Sequence, residues 1–258
     1  MLSDLQQQRH VELEGTVNLR NLGGYHTKDG TKTTKWGVLY RGDTLGHVPS
    51  DVAQRTLVNA LHIHNAYDMR NRYEVARQPY HIPNINRYAV PIDTRQLSEN
   101  VQVGDCLNDT AAVVKAMQDV YRDLVRSHGK AIGKFIKGFL NSKPSPQNAT
   151  IFHCTAGKDR TGWAAYVILT LLDVEERDKR LDYILTNNYY GCPRDVAEYL
   201  RCKGVGKEVT TALWAAFEEL VDAGMNEVNK LGGMEAYAKS HMGLTDDDIQ
   251  QLRDVMLE

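Results

Sequence analysis

Apolar residues are distributed in three different ways along the chain. Residues 1–14 form a polar lead-in with room for one short helix. From Val17 the apolar residues come in short β-prone runs punctuated by glycine. Asp29-Gly30 is a hairpin-turn pair between Gly24-Tyr25 and the run Lys35 to Tyr40. Residues 60–67 and 80–90 are further strands, the first weakened by His62, His64 and Asn65. From Asp109 the period becomes helical, with Val113, Met117, Val120, Tyr121 and Leu124 on one face and Asn108 or Asp109 as cap. The two prolines of N-S-K-P-S-P-Q-N, residues 141–148, exclude its continuation.

A short strand, A-T-I-F-H-C, then leads through a glycine-containing turn into the apolar stretch Trp163 to Leu172. Val209, Ala212, Leu213, Ala216, Phe217, Leu220 and Val221 follow as the stripe of one amphipathic helix. Thr245, with Asp248 three residues on, caps a last helix whose inner face is Ile249, Leu252 and Met256. This order predicts a single α/β domain over 1–258, with 1–14 as an N-terminal extension. Its core is a mostly parallel or mixed central sheet flanked by helices, and a helical C-terminal part comes partly over the mouth of the loop that follows the strand.

Composition narrows the function classes. The net charge of -2, from 31 Lys and Arg against 33 Asp and Glu, gives no reason to expect nucleic acid as a partner. Cys106, Cys154, Cys192 and Cys202 contain no C-x2-C pair, which suits a reducing compartment. No signal-peptide apolar core stands near the start, and no run reaches the roughly 18 apolar residues of a membrane span. The cytoplasm is the default location, with export lacking a visible signal as the other option.

The chemistry is concentrated in H-C-T-A-G-K-D-R-T-G, residues 153–162. Cys154 ends a strand and faces a helix that begins near Arg160 or Thr161, a setting that favours a thiolate nucleophile. The residues between Cys154 and Arg160 can curl their N–H groups around one tetrahedral anion, with Gly157 supplying the unusual backbone. Arg160 then offers a planar fork to two phosphate oxygens. Asp159 is a candidate proton donor to the leaving oxygen. His153 can hold the loop, Thr161 can donate to the sulfur or cap the helix, and Lys158 adds positive charge. The arrangement requires no metal and no cofactor. An ATP-binding G-x4-G-K-[ST] loop is excluded because Asp159 follows Lys158. The lesser alternative for Cys154 is a buried strand cysteine.

The same ten residues resemble the active-site loop of the protein tyrosine phosphatase superfamily. The G-K-D-R-T-G form is most similar to the atypical bacterial and fungal tyrosine phosphatases, some of which also act on phosphoserine, phosphothreonine and phosphoinositides. N-L-R-N-L-G-G-Y (18–25), L-Y-R-G (39–42), Y-D-M-R (67–70) with Glu74 and Pro79, L-D-Y-I-L-T-N (181–187) and G-L-T-D-D-D-I-Q-Q-L-R (243–253) extend the resemblance over most of residues 15–256. It implies a cysteine-phosphatase-like fold with Cys154 as nucleophile, Arg160 as phosphate binder and Asp159 as general acid. Thr155, Ala156, Gly157, Lys158 and Thr161 would contact the substrate, while His153, Asp68 and Arg70 support the loop. The implied substrate is a phosphotyrosine protein or peptide, with a phosphoinositide as a further option, and inorganic phosphate is the product. No W-P-D acid loop is present; Pro91-Ile92-Asp93 is its nearest counterpart, which makes Asp93 the reserve acid. Asn21 replaces the family's usual acidic residue and Gly42 its usual serine.

Two other classes fit the loop: a sulfurtransferase-like enzyme carrying a persulfide on Cys154, and a phosphate-binding module without turnover. Arg20 and Arg41 are further supporting candidates. His62, His64 and His81 read as structural, Cys192 and Cys202 as ordinary buried cysteines, and Lys143 as solvated. Tyr189 and Tyr190 are placed beside the pocket or under a lid.

Overall fold

The computed structural model describes residues 3–94 and 109–258, so Cys106 and the alternative cap Asn108 lie outside the described residues. Five strands form one sheet in the order β1-β2-β5-β3-β4. β1 (Arg20–Asn21) is antiparallel to β2 (Leu39–Gly42). β2, β5 (Ala149–His153), β3 (Ile63–Asp68) and β4 (Asn86–Ala89) are parallel neighbours. The sheet is thus mixed and mostly parallel, as the alternation of strands and helices predicts. All of β5 is buried, the behaviour of a parallel strand covered on both faces.

The helices are α1 (Asp4–Arg9), α2 (Ser50–Ala53) running into a π turn (Gln54–Ala60), α3 (Arg72–Arg77), α4 (Thr110–Asn141) and α5 (Asp159–Leu171). After them come α6 (Glu176–Ile184), α7 (Thr186–Tyr189), α8 (Arg194–Cys202), α9 (Lys207–Trp214), α10 (Glu218–Lys230), α11 (Met234–Tyr237) and α12 (Asp246–Met256). One apolar cluster joins Phe135 of α4, Phe152 of β5 and Trp163 of α5. A second, containing Leu19, Tyr40, Leu57 and Ile151, fills the other side of the sheet. α5 is buried along almost its whole length and carries its N-terminus to the end of β5.

Several expectations are refined. Asp109 caps α4 through its side chain, and the stripe that starts at Val113 continues to Phe139, so the helix reaches the proline-rich break. The Asp29-Gly30 turn is present, with His26 bridging Thr33, but strand β2 starts only at Leu39. The residues before it are taken by the C-terminus: Thr33 N–H donates to Glu258 O, and Thr34 bridges Leu257. The polar lead-in is tied to the body, because the buried Arg9 guanidinium donates to Gly23 O and Gly24 O at 2.8 Å each. The Thr245–Asp248 capping box forms as predicted.

The stripe from Val209 to Val221 is not one helix. α9 ends at Trp214, Ala215 is extended with ψ 155°, and α10 starts at Glu218. The break is held from outside: Ala216 N–H donates to Asn187 Oδ1 at 2.7 Å, and Asn187 Nδ2 donates back to Ala216 O at 2.8 Å. The side-chain amide replaces the helical bonds that residue 216 gives up. Cys202 also differs from expectation, being exposed rather than buried.

Candidate active site

The loop after β5 emerges at the C-terminal ends of the parallel strands and enters α5 at Asp159. Its carbonyls are all engaged on the outside. Thr44 N–H donates to Thr155 O at 3.1 Å, Asn18 Nδ2 to Ala156 O at 2.9 Å and Arg41 Nη2 to Gly157 O at 2.8 Å. A peptide unit points its N–H opposite to its C=O, so the N–H groups of Ala156, Gly157 and Lys158 turn to the inner side, beside the first turn of α5. Gly157 has φ +68°, and a Cβ there would lie 2.6 Å from Gly42 O. Both the handedness and the close approach require glycine.

The donors on the outside are themselves locked. Asp43 accepts from the backbone N–H groups of Val17 and Asn18, at 3.1 Å each. Asp182 lies between two fully buried guanidinium groups, accepting from Arg20 Nε at 3.1 Å and from Arg41 Nη1. Burial opposes its charge, but the two arginines outweigh it and hold the carboxyl down at about 2. The N-L-R, L-Y-R-G and L-D-Y segments thus meet on the back of the loop.

Cys154 is buried, 2% exposed, at the strand's end. Arg160, on the first turn of α5, is clamped by Glu74 of α3 through Nη1 to Oε2 at 2.7 Å and Nη2 to Oε1 at 2.6 Å. Burial works against the guanidinium's charge, yet the Glu74 carboxylate outweighs it and raises the pKa above the ordinary value. The Glu74 carboxyl is likewise held low: burial opposes it, but the Arg160 bonds prevail. Glu74 also accepts from the Thr155 hydroxyl and from Asn71 N–H. With Nη1 and one Nη2 hydrogen committed, the Nε–Nη2 edge of Arg160 has no partner among the described residues. It is the edge a bidentate phosphate would use.

The remaining predicted residues separate into those the structure gathers and those it sets apart. Asp159 Oδ1 accepts from Tyr121 OH at 3.1 Å and lies 3.5 Å from Lys158 Nζ. Lys158, only 3% exposed, donates to Leu213 O at 2.8 Å and Ala215 O at 3.4 Å, the carbonyls freed where α9 ends. Thr161 Oγ1 is buried without a hydrogen-bond partner among the described residues. Asp93 is exposed and accepts from Asn71 Nδ2 at 3.3 Å; Ile92, just before it, offers its carbonyl to Arg160 at 3.3 Å. Tyr190 is half-buried, its phenol pushed up to about 12 by burial first and then by nearby negative charge. Tyr189 instead stacks on His10, ring centroids 3.9 Å apart.

His153, Asp68 and Arg70 form a brace on the sheet beneath the loop. Asp68 accepts from Arg70 Nε at 2.9 Å and Nη2 at 2.8 Å, and Arg70 Nη1 reaches Thr44 Oγ1 at 2.9 Å. Burial disfavours the Asp68 charge, but the bonds from Arg70 prevail and hold its carboxyl at about 2. His153 is fully buried, with Nδ1 3.1 Å from Cys154 O and Nε2 2.7 Å from Tyr80 OH. The carbonyl can only accept, which assigns the ring proton to Nδ1 and makes Nε2 the acceptor. Burial lowers its pKa to about 4, so the ring is neutral at neutral pH.

Sequence reasoning named Glu74 only as part of a motif and gave no role to Asn18, Thr44 or Tyr121. The spacing of Asn71 and Glu74, a capping box, signals the start of α3 but not the reach of Glu74 to Arg160. A groove of about 950 Å³ lies elsewhere, between Tyr67 and Tyr88 of the sheet and Lys130, Lys134 and Lys137 of α4. No group of three or more His, Cys, Asp or Glu among the described residues is placed to hold a metal ion. Nor is any helix among them long and apolar enough to cross a membrane.

The chain is 27% identical over 255 residues to a Cupriavidus necator protein named for tyrosine-protein phosphatase activity, covering 96% of this chain and 88% of that one. It is 26% identical over 209 residues to a tyrosine-protein phosphatase of Nostoc commune, covering 78% and 68% respectively. Among solved structures, P. aeruginosa TpbA aligns over 76% of this chain and 91% of its own at 12% identity, with a TM-score of 0.33, too slight a likeness to argue from. The model of the tyrosine phosphatase family matches residues 11–258, nearly the entire length, and the chain belongs to that family.

Proposed function

We propose that residues 1–258 work as one phosphatase domain that hydrolyses phosphotyrosine in proteins or peptides through a cysteinyl-phosphate on Cys154. The observation that carries this reading is the outward anchoring of three successive loop carbonyls, which turns the loop's N–H groups toward the side of Cys154 and Arg160. In the first step the Cys154 thiolate attacks phosphorus. The S–P bond forms as the P–O bond to the phenol breaks, and Asp159 gives its proton to the departing oxygen. In the second step water attacks phosphorus and passes a proton to the Asp159 carboxylate. The S–P bond breaks, returning the thiolate and releasing inorganic phosphate. The loop N–H groups and Arg160 hold the equatorial oxygens throughout, so one preorganised cradle serves both steps.

Asp159 is favoured over Asp93 because it sits on the turn that carries Arg160 and is held by two side chains. Lys158 is committed to Leu213 O and Ala215 O rather than turned toward a second phosphate, which favours phosphotyrosine over a phosphoinositide. The test compares wild type and Cys154→Ser on phosphotyrosine peptide, phosphoserine peptide and phosphoinositide, with and without chelator. The expected result is fastest turnover of phosphotyrosine, insensitivity to chelation and complete loss in the serine variant. A denaturation-stable phosphoenzyme should be trapped in wild type only. Turnover that survives Cys154→Ser would end the proposal.

A further inference from the structure

We infer that Tyr121 and Tyr183 are positioning residues that make the two oxygens of Asp159 inequivalent, leaving Oδ2 as the one that carries the proton to the leaving group. The inference rests on the reading of Asp159 as proton donor. Oδ1 receives the Tyr121 hydroxyl at 3.1 Å and faces Lys158 Nζ at 3.5 Å. Oδ2 has no partner among the described residues. A carboxylate only accepts hydrogen bonds, so the single Tyr121 proton is directed at Asp159. The Tyr183 hydroxyl, 2.6 Å away, must then donate to Tyr121. The chain runs from α6 through α4 to the first turn of α5.

The surroundings make this chain rigid. Tyr121 is fully buried and Tyr183 is 1% exposed. Tyr121 meets Trp163 and Tyr183 edge-on, with centroids 6.4 and 6.1 Å apart. Burial, followed by the Asp159 charge, pushes both phenols well above their ordinary value, so both keep their protons at neutral pH. An aspartate's terminal torsion is broad and nearly two-fold, and Lys158 alone could draw either oxygen. Tyr121 removes that freedom. The residue pair Asp182-Tyr183 consequently serves two ends: the carboxylate fixes the back of the loop, and the next residue fixes the acid in front.

The decisive measurement is kcat/KM as a function of leaving group, because it reports the step in which the phosphoryl group moves to Cys154, and there a good leaving group departs without a proton while a poor one does not. The probes are 2,4-dinitrophenyl phosphate and phenyl phosphate, assayed with wild type, Tyr121→Phe, Asp159→Asn and the double variant. Tyr121→Phe is expected to lose about tenfold more on phenyl phosphate than on the dinitrophenyl ester, the size of one hydrogen bond to a charged group. Asp159→Asn should show the same selectivity at about a hundredfold or more, and adding Tyr121→Phe to it should change nothing further. Equal losses of Tyr121→Phe on both esters would overturn the inference while leaving Asp159 as the acid. If Asp159→Asn itself fails to discriminate between the esters, the acid assignment falls and the inference with it. Should Tyr121→Phe not fold, Tyr183→Phe must show the same selective loss at a few-fold.

Discussion

The two sides of the loop from Cys154 to Arg160 are built on opposite principles. On the outside every carbonyl from Thr155 to Gly157 has a donor, and the anchoring ions are fully buried. On the inside Arg160 is held along one edge by Glu74 while its other edge has no partner among the described residues, and Asp159 has one oxygen held and one without a partner among them. Both sides use arginine against a carboxylate, but the outer set is closed except for Arg41 Nε, which has no partner among the described residues, and the inner set is half-filled. A buried network with nearly all its partners made fixes geometry; a half-filled one is where a substrate completes the coordination. Substitutions outside should therefore act mainly on stability, and substitutions inside mainly on turnover.

The largest effect belongs to the outer side. Burial and the nearby Arg20 charge already lower the pKa of Arg41, and Asp182 is the carboxylate that offsets both. Asp182→Asn leaves two buried guanidinium groups without their counter-ion. A stability loss of about 3–5 kcal/mol is expected, measured by denaturant unfolding. An unchanged midpoint would show that the outer network is not the support it resembles.

On the inner side, Glu74→Gln keeps one acceptor for Arg160 and removes the charge that aligns it. Turnover of a phosphotyrosine peptide should fall by about ten- to a hundredfold, the worth of a charge-assisted hydrogen bond. The unfolding free energy should shift by only about 1 kcal/mol. If stability falls as much as in Asp182→Asn, the contrast between the two sides disappears.

What was legible in the sequence divides along the same line. The strand, the loop and the helix around Cys154 are local in sequence, and so were the stripe from Val113, the break at the prolines and the cap at Thr245. Contacts between distant segments left no such trace. Asn18 meets Ala156 across 138 positions, Arg160 meets Glu74 across 86 and Tyr121 meets Asp159 across 38. A periodic pattern reports which face of an element is buried, not which element it is buried against. The stripe over Val209 to Val221 misled for a related reason, since two consecutive helices each bury a part of it while Asn187 and Lys158 hold the backbone groups at the break between them.

His153 offers the subtlest break between the two sides, because it touches the loop through Cys154 O yet belongs with the brace. Its pKa, about 4 in the folded protein because of burial, lies below the 6.5 of an unperturbed histidine. The unfolded chain therefore takes up a proton first as the pH falls. The stability this ring contributes is complete above about pH 6.5 and is lost as the pH drops toward 4. Between pH 7 and pH 5 the loss should be about 2 kcal/mol. Asp68 and Asp182, held at about 2, add their own losses only at lower pH, so the interval isolates the imidazole. Denaturant unfolding of wild type and His153→Gln across that range gives the comparison. The variant is expected to be less stable at pH 7 but nearly flat with pH, and parallel slopes for the two proteins would place the acid sensitivity in another group.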